Sequence, residues 1–149
     1  MPSADEQPGL RLRLAQEARR IAGQHAWLAS VEATVLRVLQ RGTPAEARDA
    51  LDAYRGALAA HFELEERLHF PALHGLRPEL APAIEALVAD HARLRADLEA
   101  LGARVGTVAR DAVTDGFRAC AAQLLDHEQR EEALLGGESL ADAEPLIGG

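Results

Sequence analysis

Apolar residues at helical spacing run through nearly the whole of this 149-residue chain, and seven ionisable side chains interrupt the same seam. They are His25, His61, Glu65, His91, His127 and Glu131, with Glu32 one heptad beyond His25. A buried histidine or carboxylate is costly unless something neutralises and fixes it. A fold that buries this set must supply that partner, and a metal site inside a helical bundle is the simplest way to do so.

The seam divides into four segments. Leu14, Ala18, Ile21, Leu28, Val35 and Leu39 keep three-four register for a helix from about Gly9 to just before Gly42. Thr43-Pro44-Ala45-Glu46 then reads as a capping box with proline at the first helical position. The second helix follows on Ala47, Leu51, Tyr54, Leu58, Leu68 and Ala72 and closes at Gly75 and Pro78, with Pro71 placed to kink its last turn. Ile84, Leu87, Leu94, Leu98, Leu101 and Val105 carry the third, which frays at Gly102 and Gly106. Val113, Phe117, Cys120, Leu124 and Leu134 carry the fourth, which is expected to stop at Gly136-Gly137. The expected architecture is all-α: an up-down-up-down antiparallel four-helix bundle over residues 9–137, with flexible segments at 1–8 and 138–149.

Composition excludes several functions. All sixteen basic residues are arginines scattered among acids, and the net charge is −8, which disfavours a nucleic-acid partner. The single cysteine, Cys120, rules out an intramolecular disulfide and a cysteine-rich zinc site. No signal-peptide pattern or membrane-length apolar run is present, so the chain reads as soluble and cytoplasmic, with no membrane partner.

The histidines fall one to a helix, and the turns set their height. Thr43 lies midway between His25 and His61, Leu76 midway between His61 and His91, and Ala109 midway between His91 and His127. Each midpoint is at or beside an expected turn. Equal distance from a turn means equal height in antiparallel helices, so the four imidazoles should share one level, about 25 Å from the bundle ends at ~1.5 Å per residue. His61 and His127 are each followed four residues later by a glutamate, Glu65 and Glu131, on the same helix face. Four imidazoles beside two carboxylates suit two metal ions a few ångströms apart with the carboxylates as bridges. Mixed nitrogen and oxygen donors fit iron, manganese or zinc better than calcium or magnesium.

These motifs resemble the hemerythrin-like (HHE cation-binding) family. The resemblance rests on His61-Phe62-Glu63-Leu64-Glu65-Glu66-Arg67-Leu68-His69-Phe70-Pro71-Ala72-Leu73, on His127-Glu128-Gln129-Arg130-Glu131-Glu132-Ala133-Leu134-Leu135, on His25, and on Asp90-His91-Ala92-Arg93-Leu94. It implies a non-haem di-iron centre, possible as an oxo-bridged pair, ahead of manganese or zinc. His25, His61, His91 and His127 would be terminal ligands and Glu65 and Glu131 the bridges. Oxygen-carrying members have a histidine pair four apart on the third helix; here Leu87 and Arg95 flank His91 at that spacing. The departure leaves one iron to be completed by water or a carboxylate such as Glu128. It turns the implied function from reversible oxygen carriage toward a protein that reacts with dioxygen, peroxide or nitric oxide, or that senses or stores iron.

Other residues have plainer readings. Glu63, Glu66, Glu128 and Glu132 read as solvated helix faces, with Glu128 also a candidate support for the site. His69 and His74 read as a surface histidine and a helix-end dipole partner, and His69, four past Glu65, is also a candidate support. Glu32, Tyr54 and Cys120 fall in one layer about 10 Å from the histidines, which predicts a Tyr54–Glu32 hydrogen bond and an inert thiol. Three functions remain open on the residues alone: a reactive di-iron protein whose ligand is a small diatomic or peroxide, an iron- or oxygen-sensing module acting through a partner without turnover, and a structural bundle whose seam polars fix register.

Overall fold

The computed structural model describes the backbone of residues 6–147 and most side chains from 9 to 134; residues 1–5 and 148–149, part of the expected terminal segments, lie outside the described residues. Helix α1 spans Glu6–Arg41, α2 Pro44–Leu64, α3 Phe70–Leu76, α4 Ala81–Arg104 and α5 Arg110–Ile147. A π-helical turn, Glu65–His69, joins α2 to α3, so these three pieces make one continuous arm. Four long arms therefore form an all-helical bundle, and no strand occurs among the described residues. Around the bundle α1 packs on α2 and α5, and α4 packs on the same two.

The first turn is built as its sequence requires. The Thr43 hydroxyl accepts the Glu46 amide at 3.1 Å while the Thr43 amide donates to the Glu46 carboxylate at 3.0 Å, and Pro44 opens α2 without wasting a donor. Gly106 closes α4 at φ 82°, a left-handed conformation that only glycine adopts cheaply. Arg110 donates to the Gln40 and Gly42 carbonyls at 2.6 and 2.8 Å, and Arg48 to the Val105 carbonyl at 2.9 Å, which ties the loops at that end together.

Two dry clusters sandwich the ionisable layer. One contains Leu28, Leu58, Leu94 and Leu124; the other contains Ile21, Phe70, Leu73 and Leu87. Along α1, His25 stands between Ile21 and Leu28, and along α4, His91 stands between Leu87 and Leu94. The polar layer is thus flanked on both sides by apolar side chains.

The π-turn corrects the second half of the α2 seam. The Phe70 amide donates to the Glu65 carbonyl, five residues back instead of four. Pro71 follows at once; it has no N–H, and its ring crowds the carbonyl four residues before it, which a widened turn relieves. The extra residue advances the seam by one place. Leu68, expected in the core, is 46% exposed and Ala72 is exposed; His69 and Leu73, at 1% and 2%, are buried in their stead. His69 is therefore not the surface histidine its spacing predicts. A second difference lies in α5, which runs through Gly136-Gly137 to Ile147 as helix rather than stopping there. No helix among the described residues is long and apolar enough to cross a membrane.

The one-residue advance is directly testable. Leu68→Ser should change stability by no more than about 0.5 kcal/mol, while Leu73→Ala should cost about 2–4 kcal/mol. Urea unfolding of both variants reads this; an unbroken α-helix requires the opposite ranking.

Candidate metal centre

Each histidine rises from within a long helical arm, His61 from the last turn of α2, where backbone geometry fixes its direction. His25, His61, His91 and His127 are all buried, as are Glu65 and Glu131. Their donor atoms fall into two groups, each with all atoms within 4.8 Å of one another: His25, His61, Glu65 and Glu131 in one, and Glu65, His91 and His127 in the other. Glu65 belongs to both, with Oε1 3.2 Å from His61 Nε2 and 3.4 Å from His91 Nε2. Glu131 spans the same gap, with Oε1 3.9 Å from His25 Nε2 and Oε2 3.5 Å from His127 Nε2. The structure thus brings together all six residues that spacing singles out.

Every imidazole turns Nε2 inward, and its Nδ1 is held by an oxygen from the adjacent helix. His61 Nδ1–H donates to Gln24 Oε1 at 2.5 Å, His91 to Glu66 Oε2 at 3.3 Å, His127 to Asp90 Oδ2 at 3.1 Å and His25 to Glu132 Oε1 at 2.9 Å. These acceptors fix the tautomer, because an amide carbonyl or a carboxylate oxygen can only accept. Each Nε2 is left with its lone pair facing the centre. Asp90 is itself gripped by Arg130 at 2.6 Å and Arg93 at 2.7 Å. The His91 ring stacks on Phe62 with centroids 3.8 Å apart, and Phe70, brought round by the π-turn, lies nearly parallel to it at 5.8 Å.

Sequence spacing missed this supporting set. Gln24 and Asp90 were not singled out for it, and Glu66 and Glu132, read as solvated faces, are half-exposed yet bonded to His91 and His25. The available signal was position: Gln24 and Asp90 directly precede a seam histidine, and Glu66 and Glu132 directly follow a seam glutamate. Glu128 corrects the same reading, since it is buried, with Oε2 3.8 Å from His25 Nδ1. Glu63 does face solvent, paired with Arg67. Glu32 stands outside both donor groups and accepts the expected Tyr54 hydroxyl bond at 2.8 Å. Cys120 is a buried free thiol whose pKa burial raises. His69 lies close enough to His61 to help depress its pKa, and His74 is exposed.

The electrostatics are those of a site built around positive charge. Burial, with His25 close by, lowers the His61 pKa to about 4; burial, with His127 close by, lowers that of His91 to about 3. Both rings are neutral at pH 7. Burial, reinforced by Glu131, pushes the Glu65 pKa far above the carboxylate range. Glu131 goes the other way: burial opposes its ionisation, but the neighbouring His127 and Glu65 side chains outweigh that. Burial and the nearby Glu32 and Glu131 carboxyls raise Glu128 to about 8. Both oxygens of Glu65, both of Glu131 and His25 Nε2 are buried without a hydrogen-bond partner. His91 Nε2 and His127 Nε2 approach to 3.1 Å with lone pairs toward each other. One or two cations among these atoms would satisfy all of them at once, so the donor set fits a metal of the borderline type.

A sequence model of the hemerythrin HHE cation binding domain matches residues 13–138 of the chain. No curated protein and no solved structure matches it.

The charge state gives a test in the metal-free protein. Glu65 carries a proton at neutral pH that a cation must displace, so metal affinity rises with pH, and the dependence comes from carboxyls more than from His61 and His91, which are already neutral. Calorimetry in buffers of different ionisation enthalpy should show Glu65→Gln releasing about one proton fewer than wild type on metal loading, with affinity at least tenfold weaker. The metal-free Glu65→Gln protein should be no less stable than wild type, since an amide does not ionise.

Proposed function

The chain belongs to the hemerythrin HHE cation-binding domain family, and from that premise we propose that it is a non-haem di-iron protein that binds or reacts with a small oxidant or diatomic. The observation that carries this reading is the sharing of Glu65 between two donor groups, with unpartnered carboxylate oxygens and inward Nε2 atoms on every side. His25 and His61 would hold one iron, His91 and His127 the other, and Glu65 and Glu131 would bridge them. An up-down-up-down path of the four arms accounts for the common height of the imidazoles.

Two irons supply redox chemistry and a Lewis-acidic pair; the chain supplies position, charge and dryness. Two imidazoles and the two shared carboxylates would give each ion four protein donors, leaving room for a small ligand. Leu87, buried where a further nitrogen would complete the His91 side, supports that count. The unfilled positions suit dioxygen, peroxide or nitric oxide. The aliphatic layer of Leu28, Leu58, Leu94 and Leu124, each at most 2% exposed, shields the centre from bulk water on one side. The partner of this reading is a small molecule; a nucleic acid is disfavoured by the net charge of −8.

Anaerobic reconstitution with ferrous iron, followed by metal analysis and optical spectra, tests it. Two irons per chain are expected, falling to one or none in His61→Ala and Glu131→Ala. Zero iron in the wild type, or undiminished iron in both variants, overturns the reading in favour of a structural bundle. Adding oxygen, peroxide and nitric oxide then separates turnover from a sensing role, in which the spectrum shifts with no consumption of the added reagent.

A further inference from the structure

Between α1 and α2 lies a cavity of about 280 Å³ whose walls include Trp27, Ala57, Ala60 and Leu64 and whose inner end includes Gln24 and His61. Its outer rim reaches solvent, since Trp27 is 54% exposed; its inner end reaches a buried imidazole of the donor set. No ionised side chain lines it. The grooves between α2 and α4 are larger but are lined by charged residues such as Asp52, Arg55, Arg95 and Glu99, and neither includes a histidine of the centre.

The geometry points to this cavity as the port through which a neutral diatomic gas reaches the metal centre, an inference that rests on the di-iron reading and narrows its ligand class. Three observations favour that occupant. The volume falls below the ~300–1,000 Å³ of sites that enclose a drug-sized molecule, yet is several times the ~30 Å³ a small molecule takes. The walls offer methyl groups and an indole face, which cost a neutral diatomic nothing and strip an anion or a peroxide of its hydrogen bonds. Ala57 and Ala60 are small at the two positions where a larger side chain would close the gap, while α1 places its single tryptophan at the rim.

Gln24 gives the port a movable floor. It lines the cavity and also holds His61 Nδ1. Its side chain can swing on the picosecond-to-nanosecond scale of rotamer exchange, opening a path past the imidazole edge without unfolding a helix. His61 Nε2, on the far side of the ring, faces Glu65 at 3.2 Å, so a diatomic passing that ring arrives among the donor atoms.

Two measurements test the port separately from the metal reading. In the metal-free full chain, xenon under pressure should shift the methyl signals of Ala57, Ala60 and Leu64 saturably, and Ala57→Phe should abolish the shifts. In ferrous-loaded protein, stopped-flow nitric oxide binding should slow at least fivefold in Ala57→Phe at wild-type iron content, while Leu125→Phe, on an exposed α5 position, leaves the rate unchanged. If Ala57→Phe fails to fold, Ala60→Phe at the outer rim replaces it in both arms. Nitric oxide rates within twofold of wild type at equal iron content, or methyls indifferent to xenon, overturn the port and leave the di-iron reading standing. A wild type that takes up no iron overturns that reading, and the xenon arm still decides whether the cavity admits an apolar diatomic.

Discussion

Four imidazoles can stay buried in this bundle because each helix hands an oxygen to the histidine of the next. Gln24 on α1 holds His61 on α2; Glu66, in the turn after α2, holds His91 on α4; Asp90 on α4 holds His127 on α5; and Glu132 on α5 holds His25 on α1. The circuit closes around the four packed arms. Such support orients a ligand and fixes its tautomer before any ion arrives, and its loss typically costs ~10–100-fold in metal affinity. The order matters energetically as well. An unsatisfied buried polar atom costs about 1–3 kcal/mol, and five such atoms face the centre, so the metal-free fold carries a strain that a cation removes. Binding free energy and folding free energy are then coupled.

The π-turn serves the same layer. A regular helix through Glu65–His69 would bring Leu68 inward and rotate Phe70 away from its present place. With one residue inserted, Glu65 keeps its position between both histidine pairs, Phe70 lies parallel to His91, and His69 enters the core beneath them. Pro71 makes the widened turn cheap by removing a donor that a regular helix would need. The local irregularity is therefore where chain stiffness and site geometry agree.

What the sequence made legible follows from how rigidly each inference is tied to helical geometry. Most seam positions in α1, and those in α4 and the first half of α2, are buried as their spacing requires, and the equal distances of the histidines from Thr43, Leu76 and Ala109 bring the six donors together. Thr43, Pro44 and Glu46 are local and fully determined. Beyond Glu65 the reading slips by one place, because a π-turn depends on a balance between Pro71 and burial that periodicity does not encode. The hand-over of oxygens was harder still. Whether Glu66 or Glu132 reaches a neighbouring histidine depends on the rotation of two helices about their axes, and a single-helix pattern leaves both at the boundary between seam and solvent. Helix α5 passes Gly136-Gly137 because glycine only lowers helix propensity, by ~1 kcal/mol per residue, and forbids nothing.

The circuit has one odd member, and it falls at the port. Three imidazoles lean on carboxylates, which raise the basicity of a metal-bound ring; His61 leans on the neutral amide of Gln24. On the di-iron reading, the ion beside His61 then receives less charge from its support than the ion beside His91 and His127. Asp90, braced by Arg93 and Arg130, and the stacked Phe62 make the far side rigid as well as electron-rich. Charge is concentrated on that far side, and the one neutral support stands where the apolar cavity between α1 and α2 ends. On the di-iron reading, such an arrangement would separate holding metal from admitting ligand, with three carboxylate-backed imidazoles fixing the pair and the amide-backed one standing at the port.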